Sequence, residues 1–238
     1  MEFLGGYSVL RLVLLIISLL HCALLRTFLC ELHPATPTMA NCPVFSFGYD
    51  PSVAEFTVSK QSYLAAHQDA PFDYIATSAL VLDTRTASGP RILLLQRAAS
   101  DEDPDKWEPA GGACDDDDES ILHAAARELW EEAGLQATRI GGLVGHPYLF
   151  TLGDGKKVCR FNFAVRVSTQ GEPPLAARLD PEEHQRFVWA TEGEVKVKKV
   201  DGIDLDFTSA EVERTVSLAF SYFRGNPLMN AKIEEQKK

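Results

Sequence analysis

The amino-acid sequence predicts an α+β protein in which helices sandwich a mixed β-sheet, an α/β/α arrangement. Two observations carry this. Apolar runs of strand length recur between residues 73 and 190, each closed by turn residues. Two longer segments, 120–133 and 209–224, instead repeat their apolar residues at the spacing of a helix buried along one side.

In chain order, residues 39–72 suggest an irregular lead-in with some extended structure. Residues 73–83 are β-rich, and a turn at Ser88, Gly89 and Pro90 leads into residues 91–97. The unbroken apolar run at 92–95 suits a strand covered on both faces, although periodicity alone does not exclude a helix. A polar loop, 98–106, precedes Trp107, Glu108, Pro109, Ala110, Gly111 and Gly112. An acidic loop follows, then the helix 120–133, which Gly134 stops where a left-handed residue is wanted. Strands are expected at 143–152 and 158–167, with Gly153, Asp154 and Gly155 as the hairpin signal between them. A short strand is expected at 187–190. The last helix has Thr208 and Glu211 at capping-box spacing and Gly225 with Pro227 as a stop signal. Its stripe of Val212, Val216, Ala219, Phe220 and Phe223 is a packing face. The boundaries that follow are a hydrophobic segment 1–38, the lead-in 39–72, one domain 73–226, and a tail 227–238 expected to fray.

Of 238 residues, 45% are hydrophobic and 24% charged, enough apolar material for one sizeable core. The net charge of −11 belongs to the folded part, because Glu2 and Glu31 cancel Arg11 and Arg26 in the first 38 residues. An acidic surface without a Lys/Arg stripe repels nucleic-acid backbones and attracts divalent cations. No nucleic-acid partner is expected. The five cysteines are scattered and contain no C-x-x-C pair, which argues against a disulfide framework or a structural zinc. With no N-x-S/T acceptor either, a reducing, cytoplasmic setting fits the chain after residue 38.

Residues 12–25 are mostly apolar, with Arg11 and Arg26 at the ends. Fourteen residues are short for a membrane span of about 20 but suit the apolar centre of a signal sequence. Two readings stand: a signal or membrane anchor, or a stretch absent from the working protein, with Met39 as its start.

The informative stretch is 119–135. On a helix, Glu128, Glu131 and Glu132 fall within about 100° of one another, while Leu122, Ala125, Ala126 and Leu129 occupy a neighbouring face. Carboxylates crowded at this spacing destabilise a helix unless a cation sits among them. Hard oxygen ligands of this kind suit Mg²⁺ or Mn²⁺, and Arg127 can hold one carboxylate bidentately. An isolated triplet of this type is more often a solvated acidic face. The flanking residues reverse that balance.

Glu119, seven residues, Arg127-Glu128-Leu129, Trp130, Glu131-Glu132, Ala133 and Gly134-Leu135 match without a gap the box of the Nudix hydrolases, G-x5-E-x7-R-E-U-x-E-E-x-G-U with U aliphatic. The chain thus resembles that family over roughly 73–224, including the strand 91–97 and the approach from Trp107 to Gly112. One position departs. The box glycine should stand at Ala113, and Gly112 lies one residue further back, so the loop carrying Asp115, Asp116, Asp117 and Asp118 is longer by one. That acidic run is a solvated loop, an extra metal ligand or a screen at the substrate mouth.

The resemblance implies a Nudix-like fold and a divalent-metal-dependent pyrophosphohydrolase. Glu128, Glu131 and Glu132 would bind Mg²⁺ or Mn²⁺ with help from a carbonyl near Gly111 and Gly112, Glu119 would support them, and water would attack phosphorus. The base would be Glu128 or a downstream acid, Glu182 or Glu183, with His184 beside them more often structural. The substrate class implied is a nucleoside diphosphate linked to another group, with Arg97, Arg160 and the lysines 196, 198 and 199 as candidate phosphate contacts. Rival readings are a catalytically silent nucleotide-binding module, an isomerase on the same scaffold, for which Cys114 is misplaced, and a membrane-tethered interaction protein resting on residues 12–25 alone.

Overall fold

The computed structural model describes residues 45–168, 175–226 and 229. Residues 1–38, with their expected signal or anchor, and all but Met229 of the tail 227–238 lie outside the described residues. Among the described residues, no helix is long and apolar enough to cross a membrane.

The elements are β1 (Gly48–Tyr49), a 3-10 helix (Pro51–Phe56), α1 (Lys60–Ala66), β2 (Tyr74–Asp83), β3 (Arg91–Arg97), β4 (Trp107–Glu108) and α2 (Ile121–Ala133). They continue with β5 (Ala137–Leu143), β6 (Tyr148–Thr151), β7 (Lys157–Val167), β8 (His184–Thr191), α3 (Glu192–Val197), β9 (Lys199–Val200), β10 (Ile203–Asp204) and α4 (Ala210–Gly225). The main sheet runs β1-β5-β7-β2-β3-β4, with β6 also on β7 and β8 also on β3. It is mixed: β2 lies parallel to β7, whereas β2–β3, β3–β8 and β5–β7 are antiparallel.

Alternation along the central strands builds two cores. Ile75, Ala79 and Val81 of β2, Leu93 and Leu95 of β3, and Phe161, Phe163 and Val165 of β7 face α2 and the N-terminal elements. Leu80, Leu82, Ile92, Leu94 and Ala164 face Val212, Val216, Ala219, Phe220 and Phe223 of α4. The run at 92–95 is therefore a strand covered on both sides, and the α/β/α sandwich is the expected one.

Several elements differ from the sequence reading. Residues 45–72 are not irregular: Val53, Phe56 and Tyr63 are buried in the first core, with the Phe56 ring 4.8 Å from that of Phe161. A strand at 137–143 was not anticipated because Thr138, Arg139, Gly141 and Gly142 break its alternation; its ladder with β7 shifts register twice. Its glycines admit the Tyr222 hydroxyl, which accepts from the Gly142 N–H at 2.6 Å. Of the strand expected at 143–152, Leu143 instead ends β5, and only Tyr148–Thr151 forms a strand of its own, joined to β7 by the expected hairpin. Helix α3 and the β9–β10 hairpin were also missed. Helix α4 is capped by Ser209, whose Oγ accepts from the Val212 N–H at 3.1 Å, rather than by Thr208, and it runs through Gly225.

One feature of the sheet creates the site. Strands β2 and β3 pair only at Leu82↔Ile92 and Asp83↔Arg91, then separate. Residues 107–114 fill the gap. Trp107 and Glu108 bond to β3, and the Thr77, Ala79 and Cys114 N–H groups bond to the Gly112, Ala110 and Ile75 carbonyls at 2.8–2.9 Å. This wedge lies opposite α2.

Candidate active site

Helix α2 begins at Ser120, whose Oγ accepts from the His123 N–H, and ends at Gly134 in the left-handed region (φ 64°). Between these ends its apolar residues seat it on the sheet, which turns Glu128 and Glu132 inward to the wedge. Glu132 is only 5% exposed, and its Oε2 accepts from the Gly111 N–H at 2.7 Å. The Glu128 carboxylate lies against Gly112, where a Cβ would stand 2.8 Å from it.

Both glycines are needed for this close approach. Gly111 has φ 154°, and a Cβ there would stand 2.2 Å from the Thr77 carbonyl oxygen. Gly111→Ala is expected to destabilise the protein by about 3 kcal/mol or more, through a backbone clash with no rotamer to relieve it. Chemical denaturation measures this; a change under about 1 kcal/mol would show that the wedge can shift.

Arg127 anchors the helix face from the other side. Its Nε and Nη2 donate to the two oxygens of Asp118 at 2.9 Å each, its Nη1 to Glu128 at 2.8 Å and Glu131 at 3.0 Å, and Nη2 also to the Ala113 carbonyl at 3.0 Å. Asp118, anticipated only as part of an acidic run, is thus the buried partner that fixes the guanidinium. Its neighbour Asp116 is exposed and pairs with Lys60 at 2.7 Å.

Opposite Glu132 stand Glu183 and His184, at the start of β8. One donor atom from each of Glu132, Glu183 and His184 lies within 4.8 Å of the others. Behind them Glu108 is buried and takes Arg97 Nη1 at 2.6 Å, with Arg160 Nη1 at 3.8 Å and His184 Nε2 at 3.9 Å. For Glu108, burial is outweighed by His184, Arg160 and Arg97, and its carboxyl sits below the ordinary value.

The helix carboxylates behave oppositely. Burial pushes Glu128 up to about 7 despite Arg127, with Glu131 and Glu183 adding to the rise. Burial and then Glu128 hold Glu132 well above the ordinary value, against the single Gly111 N–H. Acids placed so close, in so little water, cannot all ionise without added positive charge. Glu128 and Glu132 could hold a divalent cation, which would supply that charge.

Not every anticipated residue converges here. Glu131 stays half-exposed at the rim, held by Arg127. Glu119 is largely exposed beyond the other end of α2, 3.5 Å from His123 Nε2, and lines a separate cavity with Phe45 and Phe47. Arg97 does line the site's cavity but is locked between Glu108 and Asp101, at 2.6 and 2.5 Å, which neutralises it. Lys198 and Lys199 form ion pairs with Glu213 and Asp204 and do not line the site's cavity. Cys114 is buried, and burial followed by Asp118 pushes its thiol up to about 12, far from a reactive thiolate.

A cavity of about 350 Å³ opens beside the wedge, lined by Gly112, Ala113, Glu108, Arg160, Tyr148 and Phe150 among others. On β6, Tyr148 and Phe150 stack with ring centres 5.3 Å apart, and the Arg160 guanidinium lies 5.5 Å from the Phe150 ring. The aromatic pair escaped the sequence reading because only the β6–β7 register, Tyr148↔Arg160, brings it to the cavity.

A mixed sheet split by a glycine wedge, facing buried carboxylates on one helix, defines a protein that concentrates buried negative charge at one site. Comparison with known proteins gives the family. The NUDIX domain family model matches residues 74–210, more than half of the chain. The CTP pyrophosphohydrolase of Escherichia coli (strain K12) is 33% identical over 101 residues, 42% of this chain and 67% of that relative. Among solved structures, a MutT protein from Methanosarcina mazei Go1 is 25% identical, covering 63% of this chain and 94% of that one at a TM-score of 0.46. A C. elegans Ap4A hydrolase complex is 20% identical over 65% of this chain and 100% of that one, at 0.49. The chain belongs to the Nudix family and is a hydrolase acting on diphosphate bonds.

Proposed function

We propose that the chain is a divalent-metal-dependent pyrophosphohydrolase that cleaves a nucleoside diphosphate linked to another group. The observation that carries this is the pair of buried acids, Glu128 and Glu132, whose charge Arg127 compensates only in part, set against Gly112 at the wall of the cavity. Held by Glu128 and Glu132 with Glu183 beside them, Mg²⁺ or Mn²⁺ would neutralise the diphosphate and act as a Lewis acid toward the attacking water.

The remaining work falls to the chain's own groups. Arg127, fixed by Asp118, keeps Glu128 in place while Glu131 braces the guanidinium. Glu183 takes the proton as the water oxygen bonds to phosphorus; the bridging P–O bond breaks, and its electron pair leaves with the departing phosphate. Phe150 and Tyr148 offer the base a stacking surface, and Arg160 faces the phosphates. The name of the Escherichia coli relative supports a nucleotide substrate.

The test is a panel of nucleoside diphosphate derivatives incubated with the full-length protein and Mn²⁺ or Mg²⁺. Release of a nucleoside monophosphate from at least one member, abolished by chelation, is expected. For that substrate Phe150→Ala should raise KM about 5- to 100-fold, the range for losing one stacked base, and leave kcat within about threefold. Absence of metal-dependent release across the panel overturns the proposal.

A further inference from the structure

We infer that His184 is a nitrogen ligand to the cation of this site and biases the site toward Mn²⁺ over Mg²⁺. The inference rests on the metal-dependent reading above and adds a donor that the helix motif does not contain.

His184 is 4% exposed, yet neither ring nitrogen has a hydrogen-bond partner. An unpartnered buried imidazole sacrifices the hydration of both nitrogens, so its retention calls for a role. Glu108 meets that need only in part: His184 helps to hold its carboxyl low, but the 3.9 Å to Oε1 is longer than a hydrogen bond, and that oxygen already takes Arg97 at 2.6 Å. Glu132 and Glu183 also lie close, their donor oxygens within 4.8 Å of a His184 nitrogen and of each other. Two donors on opposite sides of a small divalent cation stand about 4–4.5 Å apart, so only slight closure completes a shell.

The backbone holds this geometry ready. The Glu183 and His184 N–H groups both donate to the Asp180 carbonyl, at 3.2 and 2.8 Å, and the Glu182 N–H donates to Asp180 Oδ1 at 2.9 Å. On the far side the Glu183 carbonyl accepts from the Ala98 N–H at 2.9 Å, tying the turn to the end of β3. Beside Arg97 the β3–β8 register slips by a bulge, where β8 begins with His184. Mg²⁺ favours all-oxygen shells, whereas a mixed nitrogen and oxygen site also takes first-row ions, with affinity rising from Mn²⁺ to the later members.

Mn²⁺ alone is the probe, bound to the full-length protein. Pulsed electron paramagnetic resonance should show modulation from one imidazole nitrogen, and His184→Gln should remove it. Calorimetry should show Mn²⁺ affinity falling about 10-fold or more in His184→Gln, with Mg²⁺ affinity changing less than about threefold. If the variant does not fold, the wild-type spectrum decides by itself. Glu132-dependent Mn²⁺ binding without nitrogen modulation, or modulation that persists in His184→Gln, overturns the role of His184 and leaves the hydrolase reading standing. Failure of Mn²⁺ and Mg²⁺ to bind at all overturns both.

Discussion

Glu132→Gln is expected to lower turnover at least about 100-fold while the protein folds and the metal-free form gains stability near neutral pH. The first half follows from position. Glu132 is the one box glutamate that both meets the wedge, through the Gly111 N–H, and converges with Glu183 and His184. Removing an outer partner of a metal site already costs about 10- to 100-fold, so losing a residue proposed to hold the metal directly should cost more. The second half follows from charge. A glutamine oxygen can still accept from Gly111, and the amide needs no counter-ion in a place where burial and Glu128 oppose ionisation. Steady-state kinetics on the panel's best substrate, together with chelated thermal denaturation, measures both halves. Wild-type turnover in a folded Glu132→Gln protein would remove this residue from the chemistry.

Stability of the chelated wild-type protein should fall as pH rises from 5 to 8, and divalent cation should reverse the fall. The sign comes from Glu128. Its folded-state value is about 7 against an ordinary 4.5, so between these limits the folded protein keeps a proton that the unfolded chain has released. Raising pH then favours unfolding, with the loss complete above about 7, and Glu132 shifts in the same direction. A rise of this size corresponds to about 3 kcal/mol, or roughly 6–12 °C in melting temperature for a domain of this length. The depressed carboxyls of Asp83, Asp101 and Glu108 act oppositely but lose their contribution only on acidification below about pH 4.5, outside this window. Cation at 100 times its dissociation constant should restore about 2.7 kcal/mol. Melting curves at pH 5, 7 and 8, with chelator or with Mn²⁺, provide the measurement. A chelated protein more stable at pH 8 than at pH 5 would mean that the acids have compensation that burial and geometry do not reveal.

Much of the site was legible because helices write their geometry locally. The spacing of Glu128 and Glu132 against Leu122, Ala125 and Leu129 fixes one polar and one apolar face whatever the rest of the chain does. The same spacing placed Glu131 with them; yet its carboxylate is the more exposed one and turns to Arg127, a choice between rim and interior that depends on what α2 packs against. Asp118 shows a different limit. Four consecutive aspartates are indistinguishable as letters, and only the path of the loop selects the one that reaches Arg127.

While leaving strand or helix open for the apolar run at 92–95, the sequence by itself determined the ends of α2, the carboxylate stripe along it and the hairpin before β7. Each is a pattern repeated within a dozen residues, where backbone periodicity and capping are decisive. Tertiary structure alone decided that the split between β2 and β3 admits Glu108 and the glycine wedge, that Glu183 and His184 arrive opposite Glu132, and that Tyr148 and Phe150 border Arg160. Those meetings depend on strand order and register across the sheet, which arise when distant segments exclude water from each other and leave no short-range mark in the chain.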